Sequence, residues 1–362
     1  MSAGGASQVR IQPFSVAVDA AVIGDMRARI RGTRLPAAAP GKRWAQGTDR
    51  DWLEGLLGYW ADGFDWRAAE RELNRFAHYR AQIGDATVHF VHERARHGGG
   101  IPLVLGHGWP SCFTELLPLV PLLTDPGRHG IDGPAFDVVI PSLPGYAFSP
   151  PPRRPGACTA RTWANLWARL MTEILGYRRF GAQGQDIGAA VAISLGADHP
   201  EVVAGIHLPG VLAFPPRDQP LSDEGKAFLA RQERFRNLEG AYAHQQGTYP
   251  LTLAYGLTDS PVGLAAWIVE KFRTWSDCAG DVERRFTKDE LLTNITIYGV
   301  TGSIGSSFLF YYDRQHAPER QVPARVDVPV GVALFPKENP ITGPREWAEQ
   351  AYNITRWTRA SA

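Results

Sequence analysis

The chain has 362 residues, 44% of them hydrophobic and 21% charged, and its 38 Lys and Arg nearly cancel 37 Asp and Glu to leave a net charge of +1. That is an ordinary globular composition, long enough for one large core or two smaller ones, and its neutrality excludes the electrostatic footprint of a nucleic-acid partner. No apolar run approaches the roughly 20 residues of a membrane span. The opening MSAGGASQVRIQPF lacks the basic and apolar parts of a signal peptide, and Cys112, Cys158 and Cys278 are odd in number with no metal-type spacing. The expectation is a cytoplasmic protein with free thiols, without metal or cofactor, and without a nucleic-acid or membrane partner; a homodimer stays open.

Residues 13 to 80 read as helices, DAAVIGDMRARIRG, RDWLEGLLGYWADGF and DWRAAERELNRF, with no convincing strand. Trp44, Trp52, Trp60 and Trp66 give this region aromatic surface to bury, so it is expected to pack on something else. From about residue 82 the periodicity changes. IGDATVHFVHERA alternates as a strand does, and IPLVLGHGWP is a short apolar run stopped by Gly and Pro. SCFTELLPLVPLL predicts a helix with Ser111 as its cap. FDVVIPSLPGY predicts a third strand, and TARTWANLWARLMTEILG a helix with Trp163, Leu166, Trp167, Leu170, Met171 and Ile174 on one face. RRFGAQG, IGAAVAISLGADHP and VVAGIHLPG continue as strand, helix and strand. Alternation of this kind predicts an α/β fold with a mostly parallel sheet covered on both faces. After PPRDQP the chain turns helical again, SDEGKAFLARQERFRNLEGAY and SPVGLAAWIVEKFRTW being the clearest helices. The sheet resumes at VPVGVALFP, before a final helix-like PREWAEQAYNITRW. The expected divisions are a helical N-terminal segment over residues 1–81, a sheet core over 82–214, a helical cap over 215–322 and the remainder of the core over 323–362.

The turn GAQGQDIGAA places Asp186 between a strand and a helix, flanked by Gly184 and Gly188. One reading is a helix N-cap, at which aspartate excels. The other is a nucleophile elbow, where small residues at i−2 and i+2 permit a sharp turn that exposes the central side chain. HGWP at residues 107–110 follows an earlier strand, where such folds present a backbone N–H for an oxyanion. An aspartate carboxyl, ordinarily near pKa of about 3.9, is ionised at neutral pH without help from a base. It suits attack on an electrophilic sp3 carbon, forming an alkyl ester that water can cleave at its carbonyl. Epoxide opening or carbon–halogen cleavage is therefore expected rather than ester hydrolysis.

HGWP, PSLPGYAFS, GQDIGA, LTDSPVGLAAWIVEKF and DELLTNITIY, with the opening PFSVAVDAAVIGDMRARIRGTRLP, resemble the microsomal-type epoxide hydrolases, including bacterial members associated with natural-product pathways. The resemblance runs from about residue 13 to the end and implies the α/β-hydrolase fold and a small-molecule epoxide substrate. It implies Asp186 as nucleophile, the N–H groups of Trp109 and Ile187 as oxyanion hole, and Tyr242 and Tyr311 as acids toward the epoxide oxygen, with Tyr312 the neighbour to weigh against Tyr311. A phenol of pKa about 10 can donate while staying protonated at pH 7. Glu338 matches the acid that orients a histidine base. Where the family commonly has G-G-D-W-G, this chain has Gln185 and Ile187. The family's histidine follows a stretch like Arg356–Trp357–Thr358, and none of the ten histidines here occupies that place. Two alternatives follow: a hydrolase-fold protein with impaired turnover, or a dehalogenase, for which the phenol pair is the wrong kind of donor.

Overall fold

The computed structural model describes residues 11–38, 40–211, 213–215, 220–317, 325–337 and 342–360. Among them, one sheet has nine strands: β1 (Ile11–Phe14), β2 (His78–Ile83), β3 (Ala86–Glu93), β4 (Ile101–Gly106), β5 (Phe136–Pro141), β6 (Phe180–Gly184), β7 (Val203–Leu208), β8 (Val326–Leu334) and β9 (Tyr352–Arg359). Their spatial order is β1-β2-β3-β5-β4-β6-β7-β8-β9. The first three strands are antiparallel, and from β5 across to β9 every pairing is parallel. The mostly parallel sheet is what the alternating pattern implies, and the whole is the α/β-hydrolase architecture that the resemblance implies.

The helices come in three groups. α1 (Ala20–Arg31), α2 (Arg50–Asp62) and α3 (Trp66–Leu73) precede the sheet core; α4 (Leu119–Thr124), α5 (Ala160–Arg169) and α6 (Ile187–Asp198) alternate with its strands. Between β7 and β8 lie α7 (Asp223–Glu239), α8 (Ala241–Thr248), α9 (Pro250–Asp259), α10 (Pro261–Trp275), α11 (Lys288–Thr301), α12 (Ile304–Ser307) and α13 (Leu309–His316), and α14 (Arg345–Ala351) precedes β9. α6 buries Val191, Ala192, Ile193, Leu195 and even Ser194 and Gly196, as a helix apolar on most sides must. It packs beside α5, whose Trp163 and Trp167 are fully buried.

Three local expectations are corrected. The N-terminal region is not free of strands, since β1 and β2 fall in it and extend the sheet in antiparallel register, Ile11 opposite Ala81 and Ala81 opposite Val88. HYRAQI carries four polar residues in six, so its apolar face is too sparse to read from sequence; it is the hairpin with β3 that makes it a strand. The helix expected over SCFTELLPLVPLL is a short 3-10 turn, Phe113–Leu116, followed by α4. Pro118 and Pro121 lack the N–H a continuous helix would need. Ser111 caps nothing and donates to the Gly108 carbonyl instead at 3.2 Å. Finally, the helix expected over residues 344–357 stops at Ala351, and YNITRWTR forms β9 along β8. Its β-branched and aromatic side chains favour the pleated edge.

The N-terminal helices lean on the helical insertion. Trp60 Nε1 donates to Thr296 Oγ1 (3.1 Å), Trp52 Nε1 to Glu283 Oε1 (3.0 Å) and the Tyr59 hydroxyl to Asp289 (2.8 Å), while Arg29 pairs with Asp259. The tryptophan-rich segment thus finds its partners in α11, in the turn before it and, through Arg273 over the Trp44 ring, in α10. Deeper in, β2 and β3 carry a buried polar chain. His78 Nε2 faces the Leu73 carbonyl (2.8 Å), His78 Nδ1 lies 3.0 Å from His89 Nε2, and His89 Nδ1 lies 2.8 Å from the Ser142 hydroxyl. The two rings stack at 5.2 Å, against Phe14 and Phe113. Among the described residues no helix is long and apolar enough to cross a membrane.

Candidate active site

β4 lies between β5 and β6, so strand order reverses there, and in open α/β sheets ligands bind beyond the carboxyl ends of the strands at such a point. Register brings two loops together: Gly106 at the end of β4 faces Gly184 at the end of β6. HGWP leaves the first strand and the Asp186 elbow leaves the second. The approach is close enough that a Cβ on Gly188 would overlap the Gly106 carbonyl, and one on Gly184 the Gly188 carbonyl. The glycines therefore permit α6 to start directly against β4.

Asp186 has φ 50° and ψ −120°. This is a backbone conformation that non-glycine residues adopt at a cost, commonly on the order of 1–3 kcal/mol, and that clusters at reactive sites. It stands at the residue before α6, yet its side chain makes no capping bond. Its Oδ1 instead accepts the Trp109 backbone N–H at 2.9 Å, and the residue is exposed. The N-cap reading thus gives way to a carboxylate held in an elbow by a neighbouring backbone donor. Ile187 opens α6, and the first N–H groups of a helix have no partner within it. Gly108 has room for no side chain, because a Cβ there would overlap Asp186.

The insertion supplies the facing wall. Tyr242, on α8, stacks on the Trp109 indole with ring centroids 5.1 Å apart and planes 6° apart. Tyr311, on α13, meets both rings edge-on, 6.1 Å from Trp109 and 5.7 Å from Tyr242. Burial pushes both phenols above their ordinary range, with the Asp186 charge adding to the shift in each, so both hold their protons near neutrality. Tyr312 points elsewhere: it is exposed and stacks on His316 at 4.1 Å. Glu338 lies outside the described residues. His107, in HGWP, is fully buried; its Nε2 accepts the Leu143 N–H (3.1 Å) and its Nδ1 faces the Gly108 carbonyl (3.3 Å). Burial depresses its pKa to about 4, and with both nitrogens engaged it is a structural post for the turn. His244 and His316 are exposed.

Sequence reasoning missed several supports. Asn294 Nδ2 donates to the Pro110 carbonyl (2.9 Å) and the Tyr298 hydroxyl to the Ser111 carbonyl (2.8 Å), so α11 grips the HGWP turn from above. Both come from DELLTNITIY, where the polar Asn and Tyr inside an apolar helical stretch were the available signal. Trp275 completes the aromatic wall, 4.8 Å from Tyr242. Lys271 is buried with its ammonium 5.6 Å from the Tyr242 ring and 5.3 Å from that of Trp275, neutralised by Glu270 at 2.5 Å. Two hollows of about 700 and 860 Å³ lie against α1 and the loop after it. Neither is lined by Asp186, Tyr242 or Tyr311, so the site is recognised by its chemistry and not by the room there. Among the described residues no group of three or more His, Cys, Asp or Glu could hold a metal.

Residues 11–116 match the family model described as epoxide hydrolase N terminus, and residues 101–248 that of the alpha/beta hydrolase fold. A protein of Stigmatella aurantiaca named "Putative epoxide hydrolase" is 42% identical over 95% of this chain and 78% of its own length. Epoxide hydrolase 1 of Oryctolagus cuniculus is 34% identical over 94% of this chain and 81% of its own length. The chain belongs to the epoxide hydrolases. Among solved structures, the juvenile hormone epoxide hydrolase of the silkworm Bombyx mori superposes with a TM-score of 0.89 at 27% identity, covering 98% of this chain and 89% of that one. The Aspergillus niger epoxide hydrolase gives 0.82 at 28% identity, covering 97% and 90%. An enzyme of this family adds water across an epoxide to give a vicinal diol.

Proposed function

We propose that this epoxide hydrolase works through an ester on Asp186. A carboxylate oxygen of Asp186 attacks an epoxide carbon; the O–C bond forms as the ring C–O bond breaks, and the developing alkoxide takes a proton from Tyr242 or Tyr311. Water then adds to the ester carbonyl, the oxyanion is held by the N–H groups of Trp109 and Ile187, and the ester C–O bond breaks; one water proton leaves with the diol and the other returns to the tyrosinate, which restores both the tyrosine and the Asp186 carboxylate. Glu338 is assigned to that second step on the family resemblance alone, as the acid that matches the partner of the family's histidine. The single observation that carries this reading is the Trp109 N–H on Asp186 Oδ1 with Tyr242 stacked flat on the same tryptophan. Nucleophile, oxyanion donor and acid thereby share one wall. In heavy-oxygen water a single turnover should leave label in Asp186, because water attacks the ester carbonyl. Label confined to the diol would mean direct attack by water and would overturn the assignment.

The aromatic walls formed by Trp109, Tyr242, Trp275 and Tyr311 favour an apolar epoxide, of the kind bacterial members meet in natural-product pathways. Residues 215–322 act in this reading as a cap over the core formed by 82–214 and 323–362, with 1–81 bracing it. A cytoplasmic setting accords with three free, buried cysteines.

A further inference from the structure

Glu115 sits on the 3-10 turn just after HGWP and takes no part in the mechanism above. Its Oε1 accepts the Gly108 N–H at 3.3 Å, and its carboxyl lies beside the polar side chains of Ser111 and Gln185, which favour its charged form. Gly108 and Trp109 are consecutive: one amide points at Glu115, the next at Asp186. Gln185 is the residue before the nucleophile. One carboxyl therefore touches both segments that build the oxyanion hole, the HGWP turn and the elbow, and does so without reaching the reacting atoms. We propose that Glu115 is a positioning residue, a clasp that fixes the Gly108–Trp109 backbone against the elbow so that the Trp109 N–H stays on the Asp186 oxygen through both half-reactions.

A clasp so close to the nucleophile should not carry a second negative charge, and the site provides for that. Removal from water pushes the Glu115 carboxyl up to about 7, and the Asp186 charge adds to the rise. The neighbours that could titrate beside it keep their protons: burial holds the Cys112 thiol up to about 12 and the Tyr298 phenol well above its ordinary value. His107, on the other side of the turn, stays neutral above about 4. Because burial supplies the largest part of the shift, Glu115 remains near this value when esterification cancels the Asp186 charge. The clasp is thus a group that is substantially protonated at neutral pH. In that state one oxygen can still accept from Gly108 while the acid proton goes to a neighbour, leaving the negative charge at the elbow to Asp186.

This rests on Asp186 being the nucleophile, and the test separates the two. Rapid-quench mass measurement after a pulse of styrene oxide follows formation and decay of the ester on the Asp186 peptide in the parent, in Glu115→Gln and in Glu115→Ala. Glu115→Gln keeps the acceptor for Gly108 and cannot ionise; Glu115→Ala removes the clasp. Loss of one oxyanion donor costs on the order of 10²- to 10³-fold, so a displaced Trp109 N–H should slow hydrolysis of the ester in Glu115→Ala by at least about tenfold, with Glu115→Gln restoring it to within about threefold of the parent. Infrared difference spectra of the parent should show a protonated carboxyl band that fades between about pH 6 and pH 8, and Glu115→Gln should lack it. If the parent never forms the Asp186 ester, the nucleophile assignment fails. If the parent forms it and Glu115→Ala hydrolyses it at the parental rate, the clasp is refuted. Retention of the same band in Glu115→Gln would refute the protonated carboxyl.

Discussion

Two buried polar clusters lie on either side of one short turn and are built on opposite principles. Phe113 packs its ring against His78 and His89, whereas Glu115, two residues on, turns toward Gly108 and Asp186. In the histidine cluster each ring nitrogen has a partner. Neutral tautomers can run in one direction, from the Ser142 hydroxyl to His89, from His89 to His78 and from His78 to the Leu73 carbonyl, which satisfies every group. In the Asp186 cluster a non-glycine residue holds positive φ, an exposed carboxylate takes the Trp109 backbone N–H, and two phenols keep protons they can give away. The first arrangement stabilises a fold by leaving nothing wanting; the second holds groups that an incoming substrate would complete.

The largest test of that contrast is Asp186→Asn. The amide can still accept the Trp109 N–H, so the protein should fold with an unchanged melting temperature, while ester formation falls on the order of 10⁴-fold or more, as for loss of a nucleophile. Mass spectrometry of quenched reactions gives the rate, and an Asp186→Asn variant alkylating at the parental rate would remove the elbow from the chemistry. Next come Tyr242→Phe and Tyr311→Phe, each removing one donor to the alkoxide while a phenyl ring still fills the wall. Each should lower alkylation by roughly 10²- to 10⁴-fold with little change in stability. Tyr312→Phe, outside the aromatic wall, should leave the rate within about twofold, and the reverse ranking would move the second acid to Tyr312.

Acid tests the buried imidazoles on both sides of the turn. Burial lowers the pKa of His78 and His89, and that of His107 to about 4, from an ordinary 6.5. The unfolded chain therefore takes up protons first on acidification. The stability tied to these neutral rings is complete above about pH 6.5 and is lost as pH falls toward the folded values. For His107 alone the span is worth about 3 kcal/mol by pH 4. Urea midpoints at pH 7 and pH 4.5 would measure it, and His89→Gln, which does not titrate there, should flatten the slope. Smallest is His78→Ala at pH 7.5. It removes the acceptor for His89 and should cost about 1–3 kcal/mol for the orphaned group, read as a lower denaturation midpoint with alkylation unaffected. A parallel loss of alkylation would show that the two clusters are coupled through the turn that separates them.

Much of this was legible in the sequence. Strands buried on both faces are short apolar runs, and helices between them declare themselves by period, so the parallel core from β4 to β8 could be read residue by residue. The Gly-x-Asp-x-Gly elbow was legible because its geometry is local: small residues two positions either side leave space that no distant contact can create. What period and spacing do not carry is pairing. HYRAQI becomes β2, and YNITRWTR becomes β9, only because neighbouring strands offer them an edge. SCFTELLPLVPLL reads as one helix although Pro118 and Pro121 interrupt it, and which way the intervening turn faces depends on what it meets.

The same division holds at the site. The chemistry available, an aspartate at a strand-to-helix turn and a Trp-Pro turn after another strand, was already fixed along the chain, because these are properties of adjacent residues. Which groups meet was settled only by packing. It set Gly106 beside Gly184, laid Tyr242 flat on Trp109, chose Tyr311 over Tyr312 for the wall, brought Asn294 and Tyr298 onto the Pro110 and Ser111 carbonyls, and turned Glu115 toward the elbow. A side chain's reactivity here is set by burial, by nearby charge and by donors within about 3 Å, and those belong to the packed molecule and not to any stretch of the chain.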